Sequence, residues 1–141
     1  MKKTILAAMA LLCVYATGFT QSKIPGIVTT AFNQKFPNAK SVQWDKENAH
    51  EYEASFEVQG AKYSANFRDN GEWLETESPV SFDQLPEKVQ RAFTASHKST
   101  AIKAVSKIET AKGITKYELE IKEGKKTVEL FYSTDGAATK E

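Results

Sequence analysis

Cysteine is nearly absent. The single copy, Cys13, lies inside an apolar run over residues 4–15. That run follows a short basic start, Met1-Lys2-Lys3, and precedes the small residues Ala16-Thr17-Gly18. Residues 1–20 therefore read as a secretory signal peptide, cleaved near Gly18 to Thr20. A lipid anchor on Cys13 would need a small residue just before it, and Leu12 stands there instead. Cleavage takes the cysteine with it, so the mature chain, residues 21–141, is expected to have no disulfide and no thiol chemistry. Its stability must then come from its core, and roughly 120 residues are enough to build one. Long hydrophobic runs are missing too, since residues 4–15 fall short of the roughly 20 apolar residues that cross a bilayer. Charge of one sign is also lacking: Lys and Arg number 19, Asp and Glu 18, and loss of Lys2 and Lys3 leaves 17 against 18, a net charge of −1. That balance argues against a general nucleic-acid or membrane-surface role, which needs a concentrated basic face.

Catalytic and metal-binding motifs are absent as well. No serine sits in a G-x-S-x-G setting. His50 and His97 lie in opposite halves of the chain with no ligand-like spacing around them, whereas zinc needs three or four convergent ligands. His50 reads as a turn residue and His97 as a helix-end cation. Glu51, Glu53 and Glu57 share one face of a strand, which in principle suits Ca²⁺ or acid–base work. No glycine-bearing metal loop accompanies them, and Lys62 and Arg68 on the next strand can pair with them across a hairpin. The sequence assigns no catalytic residue, no cofactor site and no metal ligand.

What is present is a stretch that occurs twice. Ile24-Pro25-Gly26-Ile27-Val28-Thr29-Thr30-Ala31-Phe32 aligns with Leu85-Pro86-Glu87-Lys88-Val89-Gln90-Arg91-Ala92-Phe93. Self-similarity of this kind governs the reading of the fold. The first copy predicts a helix over residues 25–36, with Ser22 as a candidate cap. Ile24, Ile27, Val28, Ala31, Phe32 and Phe36 form its apolar stripe, and Pro37 stops it. The second predicts a helix over 86–96, capped by Ser81 or Asp83. Each is followed by alternating strands. Residues 51–58 place Tyr52, Ala54, Phe56 and Val58 inward; residues 62–68 do the same with Tyr63, Ala65 and Phe67. Residues 116–122 and 126–133 repeat the pattern with Tyr117, Leu119, Ile121 and Val128, Leu130, Tyr132. Strands are also expected over 41–45, 72–77 and 101–109. The last has no clear inward face, because Ile102, Ala104, Val105 and Ile108 do not alternate. Turn signals stand at Gln59-Gly60, Asp69-Asn70-Gly71, Glu123-Gly124 and Asp135-Gly136. The fold class is α+β: two tandem helix-plus-antiparallel-strand repeats, residues 21–78 and 79–141, in a single domain with both helices on one face of an antiparallel sheet.

The doubled Ile/Leu-Pro-x-x-Val-x-x-Ala-Phe start, the Phe36-Pro37 stop and the Trp44 strand before an alternating hairpin resemble the PepSY-like family, small secreted domains similar to the beta-lactamase inhibitor protein. Asp69-Asn70-Gly71 fits the same pattern. The second copy departs from it: His97-Lys98 replaces Phe36-Pro37, and no tryptophan matches Trp44. The resemblance implies a periplasmic or secreted module that binds a protein through the exposed face of its sheet. It supplies no catalytic residue.

The candidate partner-binding residues are Glu53, Ser55, Glu57, Asn66, Arg68, Trp73 and Phe131. All but Trp73 fall on the polar side of their strands. Phe131 breaks that polarity, and an exposed aromatic can anchor a partner. Trp44 reads as core. Trp73 sits beside Leu74, so one of the two points inward; it is either a rim anchor or a core lid. The expected function is a non-enzymatic periplasmic or secreted module that binds a protein or peptide, a peptidase or another envelope protein among them. It binds no nucleic acid and, after signal cleavage, no membrane. The alternative is a small-ligand module with a pocket between helices and sheet, lined by Tyr52, Tyr63 and Tyr117.

Overall fold

The computed structural model describes residues 23–98 and 101–140. Residues 1–20, expected to be a signal peptide, with Cys13, and the candidate cap Ser22 lie outside the described residues. Helix α1 spans Gly26–Lys35 and starts behind Pro25, whose missing N–H costs a helix start nothing. It ends at Phe36, whose N–H donates to the Phe32 carbonyl at 2.8 Å, because Pro37 forbids another helical turn. Val28 and Phe32 are its buried residues, with Ile24, Ala31 and Phe36 packed beside them. Ile27, expected in the apolar stripe, instead stays 58% exposed.

Helix α2, Glu87–Ser96, repeats the plan behind Pro86 and buries Val89 and Phe93. A 3₁₀ turn at Phe82–Gln84 precedes it. Ser81, expected to cap the second helix, closes this turn instead. Its N–H and hydroxyl both donate to Gln84 Oε1, at 2.9 and 2.8 Å. Asp83 lies inside the turn.

Eight strands make one antiparallel sheet in which each pairs with its successor: β1 (Lys40–Lys46), β2 (Glu51–Val58), β3 (Ala61–Arg68), β4 (Trp73–Pro79), β5 (Ile102–Thr110), β6 (Thr115–Glu123), β7 (Lys126–Ser133) and β8 (Ala138–Thr139). The β4–β5 ladder, from Glu75 opposite Thr110 to Pro79 opposite Ser106, makes the sheet continuous between the halves of the chain. Two cores lie on either side of that junction. In the first, Val28 and Phe32 of α1 meet Tyr52, Ala54, Phe56, Ala65 and Phe67. In the second, Leu85, Val89 and Phe93 meet Val105, Leu119, Ile121 and Tyr132. The alternation expected for β2, β3, β6 and β7 therefore places its apolar members in these cores.

Two bulges account for what the alternation could not show. The register slips between Ile102 and Ala104, so Ile102 and Val105 both join the second core although they are three residues apart. Ile108 then falls on the other side of β5 and is buried there, 1% exposed. The register also slips where β4 enters the sheet, with Asn66 opposite Glu75 but Phe67 opposite Trp73, so Leu74 is the inserted residue. Trp73 thereby joins the first core.

The turns after β3 and β7 use glycine for a steric reason. Gly71 has φ +85°, and a Cβ there would lie 3.1 Å from Ile27 at the start of α1. Gly136 has φ +86°, and a Cβ would lie 2.6 Å from the Lys88 carbonyl oxygen at the start of α2. Any side chain would meet both an unfavourable backbone conformation and the helix.

Candidate functional site

Residues paired directly across neighbouring strands share a face of the sheet. The register therefore assembles polar rows from side chains that alternate with the core. One row runs Gln43, Ser55, Ser64, Glu77, Ile108, Lys116 and Ser133, from β1 to β7. The row beside it runs Asp45, Glu53, Asn66, Glu75 and Thr110. A third, in the second half, joins Ser106, Glu118, Phe131 and Thr139. Half-buried strands of this kind, polar on one side and apolar on the other, form because each side chain sees one environment only.

Of the candidate residues, Glu53, Ser55, Glu57, Asn66 and Arg68 come together on β2 and β3, where Glu53 stands opposite Asn66. Phe131 shares their face but lies on β7, opposite Glu118 and half-buried, with Lys116 Nζ 5.6 Å from its ring centroid. Trp73 lies apart from both groups. It packs against the first core, donates its indole N–H to Thr76 Oγ1 at 2.9 Å, and carries Lys35 Nζ 3.5 Å from its ring centroid.

Carboxylates dominate the β1–β4 part of this face. The Glu53 carboxyl is pushed up from 4.5 to about 7, first by burial and then by the neighbouring Glu47 and Asp45 carboxylates, with the Ser64 hydrogen bond opposing the rise. Arg68 does not pair with Glu51 across the hairpin. Its guanidinium bonds Glu72 at 3.0 Å, while Glu51 accepts from Asn48 Nδ2 at 2.6 Å. In the second half Lys103 is ion-paired with Glu120. His50 Nδ1 lies 2.8 Å from Asp69 at the exposed rim. His97 stacks on Phe93 with centroids 5.2 Å apart and planes 13° from parallel, so it closes the end of α2 as a packed ring. Among the described residues no group of three His, Cys, Asp or Glu is placed to hold a metal ion. Tyr52 and Tyr132 are buried, and Tyr117 is half-buried in the second core.

Sequence reasoning missed Glu75, Glu77, Ile108 and Lys116 as members of the face. The Glu75-Thr76-Glu77 alternation was available as a signal; the membership of Ile108 depends on the bulge and on pairing between distant strands.

Comparisons with known proteins agree with this fold. The family described as "putative beta-lactamase-inhibitor-like, PepSY-like" matches residues 14–62 and 50–140. A DUF2874 family protein from Bacteroides ovatus is 25% identical with a TM-score of 0.71, over 84% of this chain and 86% of that one. A BLIP-like protein from Bacteroides fragilis is 26% identical with a TM-score of 0.65, over 82% and 84%. A protein from Bacteroides eggerthii described among "putative periplasmic proteins" is 18% identical with a TM-score of 0.76, over 84% and 88%, which shows the shared fold. No curated protein matches the sequence. No helix among the described residues is long and apolar enough to cross a membrane. Matched from residue 14 to residue 140, the chain belongs to the PepSY-like, beta-lactamase-inhibitor-like family.

Proposed function

We propose that this chain is an exported, non-enzymatic binding module that grips a protein or peptide on the polar face of its sheet. Residues 1–20 are its signal peptide, and the mature domain is two copies of one unit, residues 21–78 and 79–141. The matching glycine-to-helix approaches, Gly71 at Ile27 and Gly136 at Lys88, support the duplication, because those residues follow Pro25 and Pro86 by the same two positions. The register supports both helices lying on one side. Ala65 stands opposite Thr76, Thr76 opposite Glu109, and Glu109 opposite Thr115, which shares its parity with Leu119 and Ile121 of the second core.

The observation that carries the reading is the row from Gln43 to Ser133 on the side of the sheet away from both cores, polar at every position except the buried Ile108. On β1–β4 that face presents Asp45, Glu51, Glu53, Glu57, Glu75 and Glu77 against Lys40, Lys62 and Arg68. It suits a basic partner surface, and Phe131 supplies an aromatic contact at the far side. The family resemblance adds the expectation of a protein partner of the envelope.

The test is affinity capture from envelope and secreted fractions with the chain from Lys23 onward as bait. A protein retained by the native bait and lost with Glu53→Lys/Arg68→Glu supports the reading, provided the two baits melt alike. Peptidases and beta-lactamases are the first classes to check. Equal retention by both baits removes the sheet face from the account.

A further inference from the structure

The centre of the sheet carries a second feature, on the side where the cores lie. The first core is built over β2 and β3 and the second over β5, β6 and β7, so β4 runs between them. An open groove of about 640 Å³ lies there, between the end of α1 and the β5–β6 turn. Phe36, Val58, Tyr63 and Trp73 give it an apolar surface, and Ile114, 56% exposed, stands at its rim. A groove of this volume is within the range that small ligands occupy.

Its charge is one-sided. One lysine and one glutamate line it, Lys35 and Glu109. Glu109 is ion-paired with Lys107, 2.8 Å away. Lys35 has no carboxylate partner among the described residues; its ammonium sits 3.5 Å from the Trp73 ring centroid and 5.9 Å from that of Phe36. The indole cannot swing away freely, because its N–H is committed to Thr76 Oγ1 at 2.9 Å. A ring face attracts a cation but does not cancel its charge. The groove thus offers a flat apolar bed with one positioned, uncompensated positive charge at its edge.

We propose that this groove binds a small amphiphilic organic anion, its apolar body on Trp73 and Tyr63 and its carboxylate or sulfonate on Lys35. The site lies on the opposite side of the sheet from the protein-binding face and does not depend on it.

Two probes of nearly the same shape test this on the chain from Lys23 onward: anionic 1-anilinonaphthalene-8-sulfonate and uncharged N-phenyl-1-naphthylamine. The native chain should bind the anion saturably, one per molecule, and about five- to tenfold more tightly than the neutral probe, the effect of one partly exposed ion pair. Lys35→Gln should abolish that difference and leave the neutral probe unaffected. The Trp73 indole N–H resonance should shift on binding, and Phe131→Ala should change nothing. Absence of saturable anion binding, equal affinity for the two probes, or a preference that survives Lys35→Gln each overturns the proposal. Native melting temperatures of the variants exclude misfolding as the cause.

Discussion

Glu53 shows how one residue records its surroundings. A carboxyl pushed up to about 7 keeps its proton in the folded chain at pH values where the unfolded chain, near 4.5, has lost it. The stability this contributes is fully present below about 4.5, declines as pH rises, and is gone above about 7. The site retains solvent contact, so about 1–2 kcal/mol is the expected size once screening is allowed for. Urea unfolding at pH 5 and pH 8 should show the native chain losing that much more than Glu53→Gln; equal losses would contradict the assignment. Glycine supplies a second residue-level test. Gly124 has φ +60° and open space around it, whereas Gly136 has φ +86° and the Lys88 carbonyl in the way. Alanine at 124 should cost about 1 kcal/mol, and at 136 about 2–4 kcal/mol. Phe131→Ala belongs here too: on a half-buried sheet position it should lower the melting temperature little while weakening partner capture. A large loss of stability would make Phe131 a core residue.

Helix α1 and the strands under it form an aromatic cluster centred on Phe32, whose ring lies 5.3 Å from Phe36, 5.2 Å from Trp44, 5.0 Å from Phe56 and 6.1 Å from Phe67. Tilted and edge-on contacts of this kind add to area burial. Phe32→Ala should cost about 3–5 kcal/mol. Because the two cores are separate and joined through the β4–β5 ladder, native-state hydrogen exchange in this variant should show β2 and β3 amides losing protection while β6 and β7 retain theirs. Uniform loss would mean that the ladder couples the halves fully. At this scale the sequence was readable wherever the period held. Residues 51–58 alternate without interruption and residues 126–133 do so except at Phe131, and the strands have those bounds. It was unreadable where a bulge changed the parity. Ile102 and Val105 look irregular until one residue is taken out of register, Ile108 is an apolar residue on the opposite face, and the side taken by Trp73 depends on Leu74 being extra. Neither bulge has a residue signature in a single chain. Ser81 misled for a different reason: a serine ahead of an apolar helix closes a 3₁₀ turn as readily as it caps the helix.

For the whole molecule, the architecture was legible in the doubled helix starts and the turn glycines, but the polar sheet face was legible only in part. Glu53, Ser55, Glu57, Asn66 and Arg68 follow from local alternation. The row that reaches from Gln43 to Ser133 follows from strand order, which local patterns do not encode. The same holds for the groove, whose walls come from residues as far apart in sequence as Lys35 and Thr115. In the proposed function the polar sheet face, and not the helix side, meets the partner. Because Cys13 is the only cysteine in the sequence, a chain starting at Lys23 can carry a single introduced thiol. Ser55→Cys places it on the sheet face and Asn33→Cys on the exposed side of α1. Each would be coupled to a bulky maleimide polymer and used for partner capture from the envelope fraction. The polymer at 55 should abolish capture and the polymer at 33 should leave it intact. Capture that survives blocking at 55 and fails with blocking at 33 would contradict it.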